Sequence, residues 1–216
     1  KMHNERGDLS SMNRNATDTG YTSAFGFAHG RRYIYAVKDA LVTHVDGSVI
    51  EQCTNVFLIA PNFFKQMRKS AGIDVKLDNN LIEQVLVFGL LGMLLLCHKD
   101  AIKHQLMLHS LRGIDDLHSL NHHIHEVMNM SVYTASSLML SLWHIDASVI
   151  KQLNHLDKVS KLEVKGDKQD ELVLFMLSCL YTLATGCKDH SELEQKAEQL
   201  KLNGFSEIKA TFFTAH

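Results

Sequence analysis

Proline is almost missing from this chain: Pro61 is the only one in 216 residues, against 12 glycines. Folds built from short strands and tight turns need more breakers than that, so an all-α fold is expected. Cysteine is sparse too, and Cys53, Cys97, Cys179 and Cys187 form no C-x-x-C pair, which excludes a disulfide miniprotein. Three of the four sit in apolar stretches, where a reduced thiol acts as a small hydrophobe, and a cytoplasmic location is expected on that ground. There is no basic excess: 22 Lys and Arg face 24 Asp and Glu, a formal charge of −2. Nucleic acid is therefore not expected as a partner, because phosphate binding leans on clustered Lys and Arg. A long apolar run is also lacking. The longest, Val85 to Cys97, covers 13 residues including Gly89 and Gly92, well under the roughly 20 a bilayer span needs. It reads as a core helix, and no membrane partner is expected. Lys1 to Tyr21 is polar throughout, without the apolar stretch of a signal peptide.

What remains is ordinary globular material, 45% hydrophobic and 21% charged, enough to build a substantial core. Residues 1–21 read as a polar arm, and residues 22–216 as one helical domain. Tyr33, Val37, Ala40 and Leu41 follow helical spacing. Ser48 is a candidate cap for a helix over Val49–Ile59, and Pro61–Ser70 reads as the start of another. Asp78-Asn79-Asn80 supplies an N-cap for the strongly apolar Leu81–Leu96, the expected central helix. Further helices are expected over 101–111, 117–130, 132–142 and 147–156, the last capped by Asp146. Residues 158–168, rich in lysine, read as a loop. An apolar helix over 167–185 can end at Gly186 in a left-handed cap. Ser191 and Glu194 look like a capping box for the next helix, which Asn203-Gly204 should end, leaving 205–214 as a last short helix.

Three stretches then fall into a known order. Thr22-Ser23-Ala24-Phe25-Gly26 precedes Tyr33 to Leu41 (YIYAVKDAL) and Val45-Asp46-Gly47-Ser48-Val49. Val87-Phe88-Gly89-Leu90-Leu91 follows. The third comprises Glu126, Tyr133 to Trp143 (YTASSLMLSLW), His144-Ile145 and Val149 to His155 (VIKQLNH). Together, over residues 22–155, they resemble the HDOD domain, a relative of the HD-type metal-dependent phosphohydrolases. That resemblance implies a single helical bundle of the HD-domain-like type and a regulatory role in bacterial signalling. Implied partners are proteins or a nucleotide-like small molecule.

The departures from the HD pattern bear on activity. The adjacent His-Asp pair that binds metal in HD hydrolases falls at Gly92 and Met93, and no histidine occurs between His44 and His98. Glycine offers no donor, and a thioether is a poor ligand for the hard ions that activate water. The remaining vestigial positions read Tyr133, Asn154 and His155. No catalytic residue and no cofactor is expected.

Histidine is the one compositional oddity, with 14 in all and nine between His98 and His155. His118, His122 and His125 recur at helical spacing, with His123 alongside and Glu126 next. They form the set from which a competing metal-dependent phosphohydrolase would rebuild its centre. A solvated or partner-facing helix is the plainer reading. Other candidates are also read structurally. His98 and His104 are taken as residues at the end of the central helix, favoured by its dipole, and Asp115-Asp116 as a helix-start pair. Cys97 beside His98 reads as an inert buried thiol. Ser136-Ser137 lacks elbow glycines. Gly26, Gly30 and Arg31-Arg32 lack the strand and Gly-Lys-Ser/Thr ending of a P-loop. Trp143 is expected to close the core beneath the 132–142 helix.

Overall fold

A computed structural model describes residues 45–70, 78–98 and 103–213. These residues form an all-α bundle, and no strand occurs among them. The only extended pairing among the described residues is an isolated bridge between Val45 and His98. The helical stripe at 33–41, the 21/22 boundary and the Gly26–Arg32 segment lie outside the described residues.

The first helix, α1, runs over Gly47–Ser70 with Pro61 inside it. Sequence alone suggests two helices separated at that proline. One continuous helix forms because its buried stripe lies on both sides of the proline: Val49, Cys53, Val56 and Phe57 before it, Phe63, Phe64 and Met67 after. Each such side chain is worth about 1.5–3 kcal/mol when buried, so together they exceed the roughly 3 kcal/mol that an interior proline costs. The start is capped by Asp46 rather than Ser48. Its Oδ1 accepts the Ser48 amide at 3.0 Å and the Ser48 hydroxyl.

The expected central helix is two pieces, α2 (Asn79–Phe88) and α3 (Gly92–Leu96). Asp78 caps α2 through the Leu81 amide at 3.2 Å. Between the pieces the backbone tightens into i→i+3 bonds, Leu91 to Phe88 and Met93 to Leu90. The stretch Asn79–Leu96 is apolar enough by composition to cross a bilayer, but two thirds of it is buried within the bundle.

α4 (His104–Gly113) and α5 (Leu117–Met128) form a hairpin. Asp116 caps α5 by accepting the Ser119 amide at 2.7 Å, and Asn129 ends it at φ 54°. α6 (Val132–Leu142) begins at Ser131, whose hydroxyl accepts the Thr134 amide. α7 (Ala147–Ser160) is capped by Asp146 and runs beyond Leu156 into the lysine-rich segment. Val159 is buried there, and Lys161 pairs with Asp157 at 2.8 Å. α8 (Lys168–Thr185) carries a full capping box between Asp167 and Asp170 and ends at Gly186 with φ 67°.

α9 (Ser191–Gln199) begins differently from its sequence reading, because no Ser191–Glu194 box forms. Asp189 accepts the Ser191 amide and hydroxyl at 3.0 and 2.7 Å, while Glu194 is taken by Lys209 of α10 (Phe205–Phe212). α9 also stops ahead of Asn203-Gly204, with Lys201 turning at φ 57°. The core is closed by edge-on aromatic pairs, Phe63 with Phe212 and Phe175 with Phe205, at centroid separations of 5.4 and 5.3 Å.

Candidate functional site

α6 packs against both α3 and α7. Gly92 opens α3 where the two backbones nearly touch. A Cβ there would lie 2.6 Å from the Ser136 nitrogen and 2.7 Å from the Ala135 Cβ, and would press on the Val132 carbonyl. Ser136 uses the space. Its hydroxyl donates to the Gly89 carbonyl at 2.8 Å and accepts from the Gly92 amide at 2.7 Å, binding both sides of the α2–α3 break. Gly92 is therefore a packing glycine. Met93 beside it is wholly buried.

Tyr133 is buried at the start of α6. Desolvation raises its phenol pKa, assisted by the Asp157 carboxylate and opposed by a hydrogen bond with Asn121. The same corner holds a connected polar set. Asn121 accepts the Val132 amide at 2.9 Å, and Asp157, itself buried, accepts from Ser131 and from Lys161. Every one of these groups is paired within the protein, as buried polar groups must be. The set fixes α5, α6 and α7 to one another.

Of the closing pair on α7, Asn154 is exposed, whereas His155 reaches α8. Its Nε2–H donates to the buried Asp170 carboxylate at 2.9 Å. Asp170 also accepts the Asp167 amide at 3.0 Å and the Gln152 side chain at 3.3 Å. A histidine that reads as a residual ligand position is thus a tie between two helices.

The His-rich face of α5 is not gathered into a centre. His118 and His122 are exposed, and His122 Nδ1 faces Glu126 Oε1 at 3.6 Å in a pair open to solvent. His125 is half-buried with its Nδ1 lacking a hydrogen-bond partner, and His123 is also half-buried. Among the described residues no three His, Cys, Asp or Glu side chains converge as a metal-binding group.

The other candidates also find places. Cys97 is buried, and burial, with the nearby Asp46 charge, pushes its thiol up to about 12, which suits an inert thiol. His98 bridges Val45 through its backbone. His104 begins α4 instead of ending the central helix, so the favourable dipole reading fails there: a helix start repels a cation. Of the acidic pair only Asp116 caps; Asp115 is exposed. Ser137 is buried with no partner for its hydroxyl. Trp143 is half-buried at the C-terminal end of α6.

Asp157 and Asp170 are the residues that sequence reading passes over. Both left a local trace, Asp157 in its i,i+4 spacing to Lys161 and Asp170 in the Asp-x-x-Asp pattern before an apolar run. An all-α bundle with a serine-bridged helix break and a buried polar corner is the class these features define. Comparison with protein-family models, with curated proteins and with solved structures finds no match.

Proposed function

We propose that this chain is a non-catalytic HDOD-like module that works by binding in bacterial cytoplasmic signalling. Its partners are proteins, or a nucleotide-like small molecule held beside the vestigial positions. The HD-domain-like arrangement of the bundle is part of the same proposal and rests on the order of the three motifs over residues 22–155. One observation carries the loss of activity. At the two positions where the HD pattern calls for imidazole and carboxylate, Gly92 is spent on helix packing and Met93 is buried. A metal-activated water needs several converging donors, and filling Gly92 with a ligand side chain would force α3 away from α6.

The test is metal content and turnover in protein prepared without a histidine tag. After incubation with manganese, iron or zinc and desalting, less than one-tenth of an equivalent should remain, and bis(p-nitrophenyl) phosphate should not be hydrolysed above the buffer rate. One metal per chain together with hydrolysis, both lost in His122→Ala and His125→Ala, would replace this reading with the competing enzyme built on His118, His122, His125 and Glu126.

A further inference from the structure

The outer face of α5 carries paired imidazoles. Leu117, Leu120, Asn121 and Ile124 are buried on the inner face, which leaves His118 and His122 exposed four residues apart. That spacing sets two side chains about 5–6 Å apart at Cβ, so one nitrogen of each ring can reach a common ion at about 2.0–2.1 Å. The helix is fixed at both ends, by the Asp116 cap and the left-handed Asn129, so the pair is in place before a ligand arrives. A second observation concerns the far side of one ring. His122 Nδ1 lies 3.6 Å from Glu126 Oε1, a few tenths of an ångström beyond a hydrogen bond. A carboxylate there favours the proton on Nδ1 and leaves the Nε2 lone pair directed away from it, the arrangement by which carboxylates orient metal-binding imidazoles. The surrounding charge also suits a cation. Glu126 is the only acid or base of α5 other than its histidines, and Asp115 and Asp116 precede its first turn. The cations beside it are engaged elsewhere, Lys103 on the Val127 carbonyl and Arg112 with Asp46 at 3.7 Å.

We infer that His118 and His122 form an exchangeable chelating site for a divalent transition ion of the zinc class, with Glu126 orienting the second imidazole. The donor type selects the ion: imidazole suits zinc and its neighbours, whereas magnesium and calcium demand oxygen. Because no third His, Cys, Asp or Glu converges among the described residues, the rest of the coordination shell falls to water and the ion is held loosely. His125 is left out of the chelate, since it is half-buried with its Nδ1 inside the protein. The inference does not rest on the HDOD reading. A loosely held ion is stripped by desalting, so the retention and turnover test of that reading and the equilibrium test of this one fail separately.

The probe is zinc chloride, titrated by calorimetry into the full chain without a histidine tag at pH 7.5. A Cys187→Ser background removes the half-exposed thiol, which would compete for the ion. One site with Kd of about 10–300 µM is expected. His118→Ala and His122→Ala should each weaken it at least about tenfold, and Glu126→Gln by about three- to tenfold, with the circular dichroism spectrum unchanged. His125→Ala, and His109→Ala on an exposed histidine of α4, should leave the affinity within about twofold. Binding should be lost at about pH 5.5, because the imidazoles must be neutral to coordinate. The inference is overturned by no binding up to about 1 mM zinc, by an affinity that neither His118→Ala nor His122→Ala lowers, or by magnesium binding as well as zinc. A loss in His125→Ala equal to that in His122→Ala would overturn it in favour of a larger centre.

Discussion

Two glycines at helix ends, one buried and one exposed, make opposite demands. A methyl group on Gly92 would strike the backbone of α6, whereas a Cβ on Gly113, the last residue of α4, meets nothing within 4 Å. Gly92→Ala should therefore cost about 2–4 kcal/mol, since overpacking outweighs the gain of about 1 kcal/mol in helix propensity. Gly113→Ala should be neutral or stabilising by under about 1 kcal/mol. For a chain of this length that separates the two melting temperatures by roughly 5–15 °C, measurable by calorimetry. The thiols give a second check at this scale. Cys53, Cys97 and Cys179 are buried, and burial raises the pKa of all three; Cys187 is half-exposed. Ellman's reagent on the folded protein at pH 8 should titrate one thiol, with the other three appearing only in denaturant. Three or more fast thiols would mean that the core around α1, α3 and α8 is open.

At the scale of the elements, the ends of α7 and α8 depend on one carboxylate. Asp170 closes the α8 capping box and is the acceptor for His155 and Gln152 of α7. Asp170→Ala removes the acceptor for all three donors, so a loss of about 2–3 kcal/mol is expected in urea denaturation. His155→Ala should lose about 1 kcal/mol or less, because the ring is half-exposed and Asp170 keeps its backbone donor. Equal effects from both would show that the imidazole, not the capping box, holds the junction. The α2–α3 break follows the same logic of one group serving several. Ser136 satisfies a carbonyl and an amide that the distorted helix leaves without their usual partners.

For the molecule as a whole, helix caps should contribute to stability at acid pH. Asp46 is held below the ordinary carboxylate range by the Ser48 hydroxyl and amide, and Asp146 and Asp189 by the amides of Ser148 and Ser191. A lowered folded-state pKa means that these groups stabilise the fold above their unfolded value of about 3.9. The contribution fades as pH falls through the lower folded values. Glu83 acts in the opposite direction. Desolvation raises its pKa, so its neutral form is favoured in the fold and acidification from neutral pH first relieves a penalty. The melting temperature should therefore hold or rise slightly between about pH 6 and pH 4.5 and then fall below about pH 4. Asp146→Asn should flatten the fall and leave the neutral value within about 1 kcal/mol. A decline that starts at pH 6 would point to groups other than these caps.

Local rules account for much of this fold. The α6 bounds, the Asp78 and Asp146 caps and the Gly186 terminator are legible because each depends on residues within one turn of another. For the candidate site, the lack of a side-chain donor at Gly92 and of a hard-ion ligand at Met93 is legible in the same way, as residue identity alone. What the glycine does instead is not, because Ser136 lies 44 residues from Gly92 and no spacing rule links them. The same holds for the His155–Asp170 tie, for the continuity of α1 through Pro61 and for the division of the central helix. The chain by itself determined that helices form and, for the most part, where they begin and end, since propensity and capping are short-range. Only the tertiary structure decided which local preferences were overruled, because the energy of burial and of buried hydrogen bonds is set by partners that meet on folding.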